Sequence, residues 1–438
     1  MNGNDTQLIA AALGGIGVTV ALILAGRFHP FLALLTGAFV VGLGAGLSAA
    51  ETGAAVEKGL GDIMGHTGLV VALGLSLGAM LQCSGAAERL ARAGLALAGP
   101  GAAPWAALIV GVVVGLPLFF ETGLVLLLPV MASAAQALRD REAGLRLILC
   151  AIAGLAVVHA LVPPHPGPLI AIAALGADMG RTMLYGAMVA LPTAVLAGPV
   201  LARYSARGLT IDLPLAPMDH SEGKAPGIGR GLTIVLMPVV LIAMGQLHSL
   251  LPAWVAALAD PVLALLVTNL AALVLLFGRR MADARLQTTI WDHALKPAGS
   301  ILLAIGAGGA LKQVLVSAKL ADLLAREVEH ASVSPLILAW LVAAALRLAA
   351  GSATVATITA AGIMAGVAHM PGVSPEWLVL AIGSGSVVLS HVNDPGFWLV
   401  KSWLGTSTPN TFRTWSALET VISVAGLIFV LIGSHLIG

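Results

Sequence analysis

Between Leu145 and Gly176 an apolar stretch with the length of a membrane span is interrupted by Pro163-Pro164-His165-Pro166-Gly167-Pro168. Proline has no amide hydrogen and its ring clashes with the preceding turn, so no continuous helix survives that run. The span Leu145 to Val162 must break near mid-depth and resume as Leu169 to Gly176. Unpaired peptide groups in hydrocarbon are tolerated only where protein buries them or a cavity takes them up, so the break marks an interior site of a helical bundle. The composition agrees: of 438 residues 58% are hydrophobic and only 10% charged, against about 25% charged in a soluble domain. So few charges cannot cover a water-soluble protein of this size. A net charge of +1 offers no surface for nucleic acid, and globular enzymes and nucleic-acid binders are excluded as first readings. Cys83 and Cys150 lie in apolar runs and imply no disulfide framework. Met1 to Gln7 carries no Lys or Arg, so a cleavable signal is not expected and the first span is retained.

Further apolar spans are expected at Leu8 to Gly26, Phe28 to Ala49 and Thr67 to Ser84, followed by an amphipathic stretch, Ala87 to Ala98. Pro104 to Leu138 is too long for one helix. Its middle reads Leu116-Pro117-Leu118-Phe119-Phe120-Glu121-Thr122-Gly123, the pattern of two half-helices meeting at a re-entrant tip. After the broken span comes Met183 to Leu201, and a polar segment, Tyr204 to Arg230, then divides the chain. The same order returns: Leu232 to Leu250, Pro252 to Phe277, Ser300 to Ser317 and an amphipathic Leu320 to Glu329. An interrupted block, Pro335 to Ala368, centres on Gly351-Ser352-Ala353-Thr354. A second broken span, Trp377 to His391, opens into Val392-Asn393-Asp394-Pro395-Gly396, and Trp415 to Ile437 is the last helix. Gln82 and Gln313 are 231 residues apart, and Pro166-Gly167 and Pro395-Gly396 are 229 apart. The expected fold is an all-α polytopic membrane protein built of two inverted-topology repeats, residues 1–203 and 231–438, joined by a cytoplasmic linker, 204–230, into one membrane domain. Each repeat has five crossings, one re-entrant hairpin and one broken helix. Because five is odd, the second copy is inverted in the bilayer.

Loop charges set the orientation. Sixteen Lys and Arg fall on the face opposite the N-terminus, against four on the N-terminal face: Lys58, Arg181, Lys319 and Arg326. Lys312 and Arg347 remain inside apolar segments. By the positive-inside rule both termini face outward, the first hairpin enters from the cytoplasm and the second from outside.

Chemistry is expected where the backbone breaks at depth, because ionisable groups there are costly unless they serve a pathway. Glu121 follows two phenylalanines at the first tip. Desolvation favours the neutral form of a carboxyl group, which suits a proton carrier, although Glu121 equally fits a pairing role that holds the hairpin. His165 sits between prolines at the first break, where it reads as a functional group; His159, in an apolar run, reads more readily as a packed helix residue. No cysteine stands at metal-ligand spacing, so neither a zinc site nor a cofactor is expected. At the second tip Ser352 and Thr354 place hydroxyls where a half-helix begins, and its exposed N–H groups and positive dipole end attract a carboxylate. Gly351 and Ala353 fit close helix packing instead. Asn393-Asp394-Pro395 reads as a helix cap followed by proline at the first helical position, and the 229-residue offset sets Asp394 opposite His165 as a partner for proton exchange.

Several of these segments closely resemble the signatures of the gluconate:proton symporter family. They are Gly115 to Glu121, Val158 to Pro168, Ala177 to Gly186, Gly306 to Gln313, Gly351 to Ala360 and Ser390 to Asp394. The resemblance spans nearly the whole chain. It implies proton-coupled uptake of a sugar acid such as gluconate across the bacterial inner membrane, by a hairpin-bearing, homodimeric, elevator-type carrier of the ion-transporter superfamily. Two positions depart from the family pattern, Pro395 where serine is expected and Thr122 where an aliphatic residue is expected; both adjoin the site and bear on the choice among gluconate, idonate, glycerate and D-serine. On this reading Thr122, His165, Ser352, Thr354, Asn393, Arg347 and Lys312 bind the substrate, and Glu121, Asp394, His165 and His159 handle the proton. Arg347 and Lys312 either neutralise the bound anion or pair with Glu121 or Asp394. The rival readings are a sodium-coupled carboxylate transporter, an ion antiporter and an intramembrane hydrolase; the last lacks a Ser or Cys paired with a base.

The charge asymmetry gives a direct expectation. In a background with Cys83 and Cys150 replaced by alanine, Gly3→Cys is expected to react in intact cells with an impermeant thiol reagent and Gly223→Cys is not. The reverse labelling pattern overturns the orientation.

Overall fold

The computed structural model describes residues 3–97, 99, 101–138, 141–209, 225–245, 252, 255, 257–319, 334–391 and 394–437. The protein is an all-helical polytopic membrane protein. Among the described residues five helices are long and apolar enough to cross a membrane, or six if a bent pair, Ala49–Gly65 and Gly68–Cys83, counts as one span.

The first half opens with α1 (Gly3–Leu24) and α2 (Pro30–Gly44). The next helix, α3 (Ala49–Cys83), is 35 residues long, so it starts well before the span expected at Thr67. Glu51, Glu57, Lys58 and Asp62 break the apolar pattern over its first turns, and a capping box between Ser48 and Glu51 fixes its start. The same difference occurs in the second half, where the span expected from Ser300 is the end of a 34-residue helix, Ala284–Ser317, capped by Asp283. The amphipathic stretch after α3 is α4 (Ala86–Ala96); its expected counterpart, Leu320 to Glu329, lies outside the described residues.

The first hairpin is α5 (Ala103–Gly115) and α6 (Phe120–Ala137). At 1.5 Å per residue the 13 residues of α5 rise about 20 Å, too little to cross a hydrocarbon core of about 30 Å. The broken span is α7 (Arg141–Leu161) and α8 (Pro166–Leu175); the Pro163–Pro164 bond between them is cis. Then α9 (Met179–Val195) runs through a π turn, Leu196–Val200, into Leu201–Ser205.

The second half contains α10 (Ile228–Met244), α11 (Pro261–Ala272) and α12 (Ala284–Ser317). Its hairpin is α13 (Pro335–Ala350) and α14 (Ala353–Met364). Gly351 turns the chain between them in the left-handed region, at φ +68°, where a side chain would be strained. The second break separates α15 (Pro375–Gly385) from α16 (Pro395–Trp403). A single turn, Thr408–Thr411, and a π turn, Phe412–Ser416, lead into α17 (Ala417–Ile437).

The two halves interlock. The first half's α8 lies against the second half's α14, and α7, α8, α14 and α15 are buried almost throughout. The long helices α3 and α12 cross at Gly59 and Gly309, where the backbones approach so closely that a Cβ on either residue would strike the other's carbonyl oxygen. Gly309→Ala is therefore expected to destabilise the purified protein by about 1–3 kcal/mol. Gly299→Ala, on the same helix with open space around the added carbon, is expected to leave the melting temperature unchanged. Equal melting temperatures for the two variants would show that the crossing tolerates a wider separation.

Candidate functional site

The breaks and tips are tied to one another by polar side chains. Asp394 caps the N-terminus of α16, its Oδ1 accepting the Gly396 N–H at 2.7 Å. Its Oδ2 accepts from the guanidinium of Arg347, in the last turn of α13, and from the Ser390 hydroxyl. Both charged side chains are buried, 4% exposed at Arg347 and 10% at Asp394. Ser390 in turn accepts from Trp415 Nε1 at 2.6 Å, and the Ser416 hydroxyl donates to the Ser390 carbonyl. The second break is thus bonded on one side to its hairpin and on the other to the start of the last helix.

The first break has a different tie. His165 caps α8 by backbone position, and its Nε2 lies 2.8 Å from the carbonyl of Gly115, the last residue of α5. A carbonyl only accepts, so this nitrogen carries the hydrogen. The ring meets Phe119 edge-on at 6.4 Å and His159 at 5.1 Å. From His159 the aromatic contacts continue to Phe120 at 6.1 Å, which stacks on Trp415 at 5.2 Å.

Between these ties lies a cavity of about 130 Å³. Arg347, Ser352, Thr354, Asp394 and His159 all line it, so the structure brings together five residues singled out in the sequence. Phe120, Trp415 and Glu419 also line it. A small void that shares His159, Ala353 and Thr354 extends it towards Gly167, Pro168 and Thr357, where the start of α8 meets α14. Two half-helices begin at residues of the wall, α14 after Ser352 and α16 after Asp394. The N-terminal end of a helix carries partial positive charge, which attracts an anion. Ser352 caps α14 through the Val355 N–H at 3.4 Å.

Other expected site residues lie elsewhere. His165 is 3% exposed and is not part of the cavity wall. Thr122 is half-buried in the first turn of α6, also away from the wall. Lys312 lines a wider cavity of about 620 Å³ with Asp62, Asp260 and Gln313, between the crossed long helices and α8, and not the cavity at the tips. The backbone of Glu121 lies in the first turn of α6; Asn393 lies outside the described residues. Arg347, for which pairing with Glu121 or Asp394 was open, pairs with Asp394.

Glu419 was missed. It is 3% exposed, within electrostatic reach of Arg347 and Asp394. The signal was present, since it is the only acidic residue of the last span, Trp415 to Ile437. A carboxyl group on an unbroken helix beside a break carries no tip or break signature in its own segment.

Comparison with known proteins places these features in a family. The family model described as GntP family permease matches residues 6–436. A gluconate permease of Pseudomonas aeruginosa is 41% identical over 98% of this chain and 98% of its own. The high-affinity gluconate transporter of Escherichia coli is 40% identical over 94% of this chain and 96% of its own. The Gnt-II system L-idonate transporter of the same species is 34% identical over 95% and 97%. Among solved structures the YdaH transporter of Alcanivorax borkumensis shares the fold, with a TM-score of 0.65 over 99% of this chain and 98% of that one at 15% identity.

Breaking a buried ion pair by removing one partner strands the other charge and costs about 3–5 kcal/mol. Asp394→Asn is thus expected to lower the melting temperature in detergent markedly, whereas the double variant Arg347→Met with Asp394→Leu recovers most of that loss. A double variant as unstable as the single one would mean that the hydrogen bonds to Ser390 and Gly396, rather than the stranded charge, dominate.

Proposed function

The chain belongs to the GntP family of permeases, and we propose that it carries gluconate or a closely related sugar acid across the membrane together with a proton, using the cavity between the hairpin tips and the helix breaks. The family is one of transporters, not enzymes. The single observation that carries the substrate reading is the buried Arg347 beside Ser352 and Thr354 at the start of α14, in a cavity no larger than a small polar acid requires. The substrate carboxylate lies against the guanidinium and the α14 N-terminus. Its hydroxyls meet Ser352, Thr354, His159 and the free acceptor capacity of Asp394. Phe120 and Trp415 supply the apolar wall that excludes water.

Proton coupling follows from the charges. The wall holds one guanidinium and two carboxyl groups, and a bound anion adds a further negative charge in a low-dielectric site. Uptake of a proton offsets it, and His159 on the wall provides a further titratable group. The carrier in this reading is a homodimer in the bacterial inner membrane, with both termini periplasmic, as the loop charges and the family resemblance support. Its halves are inverted repeats moving as an elevator. In support of the repeat, α3 and α12 have nearly equal lengths, 35 and 34 residues, and the caps of the two broken helices, His165 and Asp394, are 229 residues apart.

Uptake of labelled gluconate, idonate, glycerate and D-serine into vesicles under an imposed pH gradient tests the reading, and replacing sodium by choline separates it from a sodium-coupled carrier. Gluconate accumulation that survives in choline and collapses with the pH gradient is the expected result. Thr354→Val removes a hydroxyl without touching a cap. Ser352→Gly removes the other at a cost to the cap of only a few tenths of a kcal/mol. Loss of two hydrogen bonds of about 0.5–1.5 kcal/mol each corresponds to a KM for gluconate raised roughly fivefold to over a hundredfold. An unchanged KM in the double variant would assign both hydroxyls to the helix.

A further inference from the structure

We propose that Glu419 carries the coupling proton, its ionised carboxylate balancing the charge of the Arg347 cavity when no substrate is bound and taking up the proton when the substrate's carboxylate enters. This deepens the symport reading above and rests on it.

Hydrogen-bond direction at the second break separates the roles of the two carboxyl groups. Indole nitrogen only donates, so the 2.6 Å contact fixes Ser390 Oγ as acceptor from Trp415 and leaves the Ser390 hydrogen for Asp394. Asp394 thereby receives donors from Ser390, Arg347 and the Gly396 amide. Its charge is the partner of the Arg347 guanidinium, and Asp394 is bonded into the scaffold of the break.

Glu419 has no such set. It is one turn beyond Trp415, buried, and on the wall of the same cavity, and among the hydrogen bonds of the described residues none reaches its carboxyl group. It can gain or lose a proton without breaking a bond of the scaffold. The charged and titratable groups facing it are Arg347 from α13, Asp394 from the start of α16 and His159 from α7.

Charge balance then produces coupling. In the empty carrier the cavity holds the Arg347 cation with the carboxylates of Asp394 and Glu419. In the loaded carrier it holds the same cation with Asp394 and the substrate carboxylate, while Glu419 has taken one proton onto a carboxyl oxygen. Both forms bear the same net charge. Substrate with ionised Glu419 would add an uncompensated anion, so binding and protonation occur together. Release of substrate on the far side lets Arg347 draw the Glu419 proton off to water, one per sugar acid.

The experiment measures proton uptake on addition of gluconate to the purified protein in weakly buffered detergent with a pH-indicator dye. The wild type is expected to take up one proton per gluconate bound, with affinity falling about tenfold per pH unit above the titration of the coupling group. Glu419→Gln is expected to bind gluconate without proton uptake and with no dependence on pH. In vesicles it loses accumulation driven by a pH gradient and keeps exchange of internal for external gluconate, and Glu419→Asp restores accumulation. Proton uptake or uphill transport by Glu419→Gln overturns the proposal. If Glu419→Gln does not fold, Glu419→Asp decides: a displaced pH profile of gluconate binding supports the proposal and an unchanged one overturns it. Failure of the symport reading is distinct, since the wild type itself would then bind gluconate without any response to a pH gradient.

Discussion

Asp394 is bonded to three separate parts of the second half at once: to the hairpin through Arg347, to the break through Ser390, and to its own half-helix through the Gly396 amide. In hydrocarbon, a helix that stops at mid-depth exposes N–H and C=O groups that cost several kcal/mol each unless satisfied. A carboxylate can accept several of those donors simultaneously and hold a cation at the same point. Removing water from the pair strengthens it, and the Trp415 to Ser390 bond extends the tie to the last helix. The cavity exists because these elements are held apart at their ends, and its polarity derives from the same bonds.

The first half solves the same problem without charge. There the cap of the broken helix, His165, donates to the carbonyl that ends the first arm of its hairpin, Gly115. In the second half the cap, Asp394, meets a side chain from the last turn of the corresponding arm, Arg347. The logic is shared: a side chain at the N-cap of the broken helix is tied to the end of its hairpin's first arm. A neutral bond to a backbone carbonyl offers a passing anion nothing to compete for. An ion pair does, because a guanidinium has five donors and a second carboxylate can share it.

The architecture was legible wherever backbone chemistry leaves a mark in the residues. Four prolines in six residues announced the first break, and Gly351 between apolar arms the second tip. The early turns of α3 and α12 were not legible, because Glu51, Lys58, Asp62, Arg285 and Asp292 give them the polarity of loops; tertiary contact between the two long helices decides their structure. Among the candidate residues, those whose position follows from their own segment lie where the sequence puts them: Ser352 and Thr354 at a helix start, Asp394 before proline. The positions of Lys312 and Glu419 were not legible, for one reason. Both sit on unbroken helices, and whether such a side chain meets the cavity depends on which neighbour its helix packs against, which no local pattern encodes. One faces the wide cavity beside α3 and the other the cavity at the second tip.

That placement gives the two cations different work. Lys312 stands near Asp62 and Lys58, in the larger space between the crossed long helices and α8. There it is only half-buried, and where such a charge meets water its field is screened within about 10 Å at ordinary salt. Arg347 is enclosed with its carboxylate partners, where the same charge acts at short range and low dielectric. An anion crossing from the wide cavity to the tip would therefore exchange a weak, screened attraction for a strong one, but only if a negative charge left the tip first. With Asp394 fixed by three donors, the group whose charge can leave is the one on the unbroken helix, and the hydrogen bonds that hold the break together stay intact while it does.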